Sequence, residues 1–379
     1  MATDTPLTLS RAHVVRPEEV STVDDWLSEV DSEYRMQHPS TERGLAEFLF
    51  AQTGHQARSV CTGANSSALR QFPGFRRARQ QSQADLAGQA LDALISSLSS
   101  EDAIKRCEVA VFTGASLDDS TMFQSLATRL ADKVGLIKLP HFSVAQLQGA
   151  ALAGATEIIE AMVANQDSAA VCIAAERWPV SFPRSWGNMT LLGDGAVALW
   201  FERTNQTGLQ YLGSAQRSYD PFIRMPGVDI NDLTPQTDDF ADAMDRYRLD
   251  DNREGAAADA ILEVSVPSLV AATVEVIQAC LSDYGLSASD IGGWIPSGIS
   301  PELEEVIRDQ VGVSVPLAVQ PQKDDGYWCS AAAPAMMAEV LGQLSAGYIS
   351  DGTIFLSWGA SLGGSASAQL WRATTGSGV

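Results

Sequence analysis

"PHFSVAQLQGAALAGATEII", residues 140–159, decides how this chain is read. After Pro140 a short apolar stretch reads as a strand. From Ala150 onward the small residues Ala151, Ala153, Gly154 and Ala155, with Leu152 and Ile159, follow helical spacing. Strand, sharp turn and small-residue helix in that order place one side chain at a helix N-terminus, where unpaired backbone N–H groups and the helix dipole favour negative charge. A nucleophile is often mounted on such a turn. Here the turn carries Leu147 and Gln148 and no cysteine.

Outward from this unit the chain alternates strand and helix. "SQADLAGQALDALISSL" (82–98) predicts an amphipathic helix, "CEVAVFTGAS" (107–116) a buried strand and turn, and "FQSLATRLADKVGL" (123–136) a second helix. "SAAVCIAAE" (168–176) and "GDGAVALWFER" (193–203) predict buried strands; residues 21–50 read as helical. Residues 229–254 are acidic and rich in Pro, Asp and Asn, a surface excursion between two halves. Beyond it come a long helix (264–286), a strand and loop "DIGGWIPSG", a helix capped by Ser300, the small-residue helix "CSAAAPAMMAEVLGQL", and the strand "GTIFLSWGASLGG". The strand-to-small-helix unit near 140–159 has a counterpart near 321–345, which points to internal duplication. The expected organisation is a first half over 1–228, an acidic connection over 229–255 and a second half over 256–379.

The 379 residues carry 45% hydrophobic side chains and a formal net charge of −22. That charge argues against nucleic acid and anionic membrane as partners, since both need basic surfaces. No apolar run reaches the about 18 residues of a membrane span, and the first residues lack a signal-peptide pattern. Cys61, Cys107, Cys172, Cys280 and Cys329 have neither paired nor metal-type spacing, as expected of reduced thiols in a cytoplasmic protein.

Seven stretches in order resemble the thiolase superfamily, specifically the ketoacyl-ACP synthase III-like condensing enzymes. They are "TGHQAR" (53–58), "LAGQALDALISS", "FSVAQLQGA", "LLGDGAVALWF", "DIGGWIPSGISPELEEVI", "DDGYWCSAAAPAMMAEVL" and "LSWGASLGG", over about residues 45–372. The resemblance implies an α/β protein with a five-layered α/β/α/β/α fold of two duplicated halves, usually dimeric. It also implies chemistry by Cys, His and Asn, the first forming an acyl-enzyme and the others stabilising an oxyanion. Carried over, the cysteine position falls on Gln148 (Leu147 if the register slips by one), the histidine on Ser297 and the asparagine on Tyr327; Ser361 stands for a glycine of the closing turn. All four histidines lie at or before His141, so the second half has none. The framework glycines Gly193, Gly195, Gly326 and Gly359 remain.

These replacements frame three functions. The first is a triad-less pseudo-ketosynthase subunit of specialised acyl or polyketide metabolism, paired with an active paralogue. Glutamine at the cysteine position is shared with loading ketosynthases and chain-length-factor subunits, and the missing histidines fit the latter better. The second is a remodelled acyltransferase or condensing enzyme acting on acyl-ACP or acyl-CoA without a cysteine acyl-enzyme. The third is a module that binds an acyl chain or carrier protein. Candidate contacts to substrate are Cys329, Ser300, Gly359 and Ser361, beside Gln148, Ser297 and Tyr327; no resident cofactor or metal is expected. Ser297 has no nameable base in the sequence, His141 lies at the far end of its strand, and Cys329 reads as a small buried hydrophobe. Arg76, Arg77 and Arg79 could form a basic patch for an acidic carrier protein. The partner expected is a second copy or a synthase III-like paralogue.

Overall fold

A computed structural model of the chain describes residues 5–26, 74–98, 103–116, 125–145 (save 134 and 136), 147–178 (save 167), 184–186, 190–222 (save 221) and 265–376. The "TGHQAR" stretch and the acidic segment 229–255 lie outside them, as do most of 21–50.

Among the described residues nine strands form one mixed sheet. They are β1 (Leu7–Val15), β2 (Cys107–Gly114), β3 (His141–Ala145), β4 (Ala169–Glu176), β5 (Gly195–Arg203), β6 (Gly208–Ser218), β7 (Gly293–Ile295), β8 (Ile354–Ser361) and β9 (Ser365–Thr374). Their spatial order is β7-β8-β9-β6-β1-β5-β4-β2-β3. The first five strands therefore lie in the order third, second, fourth, fifth, first. The second set repeats that order, with a parallel bridge from Trp294 to Leu317 standing where its third strand would be. Pairing sense repeats as well. β2–β4 and β7–β8 are parallel, whereas β4–β5, β5–β1, β8–β9 and β9–β6 are antiparallel. The two first strands, β1 and β6, meet antiparallel at Thr8–Gln210 and Leu9–Leu209. Duplication is thus explicit in the topology, although β6 lies within the first 228 residues.

The helices explain the layering. α1 (Gln83–Ser96) starts at a capping box, in which Ser82 accepts from Asp85 N–H and Asp85 accepts in return. It turns Leu86, Ala90, Leu91 and Leu94 inward onto β1, β4 and β5. With α2 (Leu126–Lys133) it forms one outer layer. α4 (Val266–Asp283) and α5 (Pro301–Val311) form the other. α4 is long and apolar enough by composition to cross a membrane, but its own Leu269, Val276, Ile277 and Cys280 are buried in the core. Between the two halves of the sheet lie α3 (Ala151–Met162), which touches β2, β3, β6 and β9, and α6 (Ala332–Ser345), which touches β1, β5, β6 and β8. A helix covered on both sides has no room for long side chains, which is why α3 and α6 are so rich in alanine. The order is α, β, α, β, α, the five layers anticipated from the resemblance.

Candidate functional site

The elbow between β3 and α3 is where the quoted stretch placed it. Gln148 opens a short 3₁₀ turn, residues 148–150, with φ of 47°. Among the described residues only Cys329 shares a left-handed backbone without being glycine, at φ of 40°. Cys329 opens the matching turn that leads into α6. The duplicated halves thus carry duplicated, strained elbows.

The two elbows meet. A Cβ added at Gly359 on β8 would fall on the Gly149 carbonyl, so backbone touches backbone there. A Cβ added at Gly149 would lie 2.5 Å from the Tyr327 hydroxyl. On the other side of Tyr327 a Cβ at Gly298 would approach the ring to 4.0 Å. Tyr327 therefore sits, with 0% exposure, between the direct neighbours of Gln148 and Ser297. The three positions carried over from the resemblance converge in space.

Each is committed to an internal contact. Gln148 is half-buried and its Oε1 accepts from Leu362 N–H at 2.8 Å, reaching from the first half into the closing turn of the second. Ser297 is buried, and its Oγ donates to Glu304 Oε1 at 2.6 Å. Burial, with Cys329 and Glu176 close by, raises the Tyr327 phenol above its ordinary range. Burial and Glu176 likewise raise the Cys329 thiol, the opposite of what a nucleophile needs. Ser300 is the N-cap of α5, accepting from Leu303 N–H at 3.2 Å. Ser361 is buried and accepts from Gly363 N–H at 3.1 Å within the closing turn. His141, at the opposite end of β3 from the elbow, contacts Leu139 O and Thr128.

Two residues at the site were not singled out from sequence. Glu304 is the partner of Ser297, and Glu176, at the end of β4, accepts from Ala115, Ser116 and Ser330 backbone N–H and from Ser330 Oγ at 2.6 Å. Both are buried, which raises each carboxyl, while those hydrogen bonds oppose the rise. Glu176 reaches from the first half to hold the residue after Cys329. The only sequence signal was a charged residue closing an otherwise apolar strand.

The Gly-Asp-Gly turn supports the same region. Asp194 and Arg184, each 1% exposed, form a two-pronged pair at 2.6 and 3.2 Å. Gly195 leaves room for the Trp328 ring, which a Cβ would approach to 2.6 Å. The arginines that could form a basic patch have internal partners or surroundings. Arg76 pairs with buried Asp325 at 3.3 Å, Arg77 is buried, and Arg79 pairs with Glu19.

No protein-family model and no curated protein sequence matches the chain. Solved structures do. The 3-oxoacyl-(acyl carrier protein) synthase III of Pseudomonas aeruginosa PAO1 is similar at a TM-score of 0.62 and 17% identity, over 97% of this chain and 98% of that one. The acyltransferase ChlB3 is similar at 0.66 and 16% identity, over 98% of both chains. The priming β-ketosynthase of the R1128 polyketide pathway is similar at 0.64 and 16% identity, over 99% of this chain and 98% of that one. At these identities the likeness establishes the architecture alone, and the described residues of the chain have the thiolase-like fold.

Proposed function

We propose that this chain is a ketoacyl synthase III-like subunit without Cys-His-Asn chemistry of its own, a cytoplasmic pseudo-ketosynthase that works beside an active synthase III-like partner in specialised acyl or polyketide metabolism. One observation carries the reading: every chemical position is tied into internal structure. The Gln148 amide cannot attack a thioester, and its carbonyl already holds the Leu362 N–H. Ser297 is held by Glu304, and Tyr327 fills the space between the two. Acyl-ACP or acyl-CoA is then a ligand of the partner's site.

Pairing is supported by β3. It ends the sheet, so its outer edge is unpaired among the described residues, and Phe142 on it is 40% exposed. An exposed strand edge offers backbone donors and acceptors to a matching strand. We place the subunit seam there, for a homodimer or a heterodimer.

The test is co-expression with a synthase III-like protein that keeps Cys, His and Asn, followed by native mass spectrometry and incubation with acyl-CoA. A heterodimer that Phe142→Lys disperses is expected, with the acyl adduct on the partner's cysteine. A homodimer indifferent to such partners, or an acyl adduct on this chain purified alone, overturns it. A second reading, direct acyl transfer, draws on the Tyr327 phenol at Gly149. Turnover by this chain alone that Tyr327→Phe abolishes would favour it.

A further inference from the structure

Five hydrogen-bond donors converge on the carboxylate of Glu304. Oε1 accepts from Ser297 N–H at 2.5 Å, Ser297 Oγ at 2.6 Å and Gly298 N–H at 3.3 Å. Oε2 accepts from the Trp294 and Trp358 indole N–H groups, each at 2.9 Å. They come from two separate places, β7 with its following loop and the middle of β8, while α5 supplies the carboxylate. Indole and backbone N–H groups can only donate. The set therefore has one chemical preference: a compact anion with two oxygens. A neutral amide would turn its NH₂ against at least one donor, and a cation would be repelled. Glu302 and Glu305, in the same helical turn, face solvent, so an acidic helix face does not account for Glu304.

We propose that Ser297, Gly298, Trp294 and Trp358 form a built anion cradle that Glu304 occupies permanently from within, and that the cradle, once vacated, takes a free carboxylate of acetate size. Gly298 adjoins Tyr327, so the cradle backs directly onto the position where the resemblance placed an asparagine, and Ser297, where it placed a histidine, is part of the cradle itself. While Glu304 stays, its donors are closed to any substrate anion. The inference holds whether or not the chain pairs with a partner.

Glu304→Ala removes four heavy atoms, the Cγ and the carboxylate, which are the heavy atoms of acetate; formate lacks the carbon. Thermal unfolding of the full chain is followed in acetate, formate, benzoate and chloride at equal ionic strength. Glu304→Ala is expected to melt below the native chain and to regain stability saturably with acetate, less with formate and not with benzoate. The native chain should respond to acetate no more than to chloride. Solubility of the variant only in acetate counts in favour. A folded variant that responds equally to acetate and chloride overturns the proposal. If the variant is insoluble in every salt, Trp358→Phe decides, since it keeps a ring and deletes one donor. The unfolding equilibrium constant should then rise about tenfold or more, as for a hydrogen bond to a charged group, and a change under about twofold overturns the proposal.

Discussion

Asp194→Ala should destabilise this protein more than any exposed acidic substitution, and the size follows from its surroundings. Arg184 and Asp194 are both 1% exposed. Asp194 also accepts from Ala78 N–H at 2.8 Å and Trp178 N–H at 3.0 Å, while Arg184 donates to Trp178 O at 2.7 Å. Removing the carboxylate leaves a guanidinium in a dry site and two backbone donors without acceptors. Breaking a buried ion pair costs about 3–5 kcal/mol, and an orphaned buried donor about 1–3 kcal/mol. These overlap, because the cavity can admit water, so a loss of at least about 4 kcal/mol is expected. With a urea dependence of about 3 kcal/mol per molar for a chain of this size, the midpoint should fall by about 1.3 M. The eight tryptophans provide the fluorescence readout. Arg184→Met should cost less, since Asp194 keeps its two backbone donors. A midpoint for Asp194→Ala within about 0.3 M of the native chain would refute the reasoning, because that is under about 1 kcal/mol.

Two further outcomes can be checked. Burial pushes the Cys107, Cys172 and Cys280 thiols up to about 12 and raises Cys329 as well. The folded protein at pH 8 should therefore leave these four unalkylated by iodoacetamide, whereas denaturant exposes all five cysteines; rapid labelling of Cys329 in the folded chain would contradict the site geometry. The Ser82 backbone and hydroxyl hold the Asp85 carboxyl below its ordinary value. A depressed folded value means that this contribution is present above the unfolded value and fades as pH falls through the folded one. Ser82→Ala should cost about 1 kcal/mol at neutral pH, shrink that cost in acid, and move Asp85 upward in an NMR titration; an unmoved Asp85 would be the contrary result.

The elements legible in the sequence were those with one unbroken pattern. β2, β4 and β5 are continuous apolar runs because both faces are covered, and Ser82, Ser300 and Gly312 punctuate helices by ordinary capping. β1 and β6 were opaque. Register shifts between Leu9 and Arg11 and between Tyr211 and Gly213 break the two-residue period that would have announced them. β9 hides differently: Ser367 and Gln369 are buried, so its alternation mimics an exposed strand. At the site, Gln148, Ser297 and Tyr327 could be placed because each lies in a stretch that resembles the family's, Tyr327 directly after Gly326. Glu304 could not, since only packing distinguishes it from Glu302 and Glu305. The surroundings of the arginines at 76, 77 and 79 were hidden for the converse reason, as a charge cluster in sequence does not reveal the buried carboxylate of Asp325 that pairs with Arg76.

The contact between Gly149 and Gly359 has a wider bearing. Main chains pressed together tolerate no methyl group, whatever reaction the neighbouring side chains perform or have ceased to perform. Selection for a foldable molecule alone will preserve these two positions through any change of trade. A survey that gathers sequences by such glycines collects a shared scaffold, and the working members must then be sorted by what stands at the elbow.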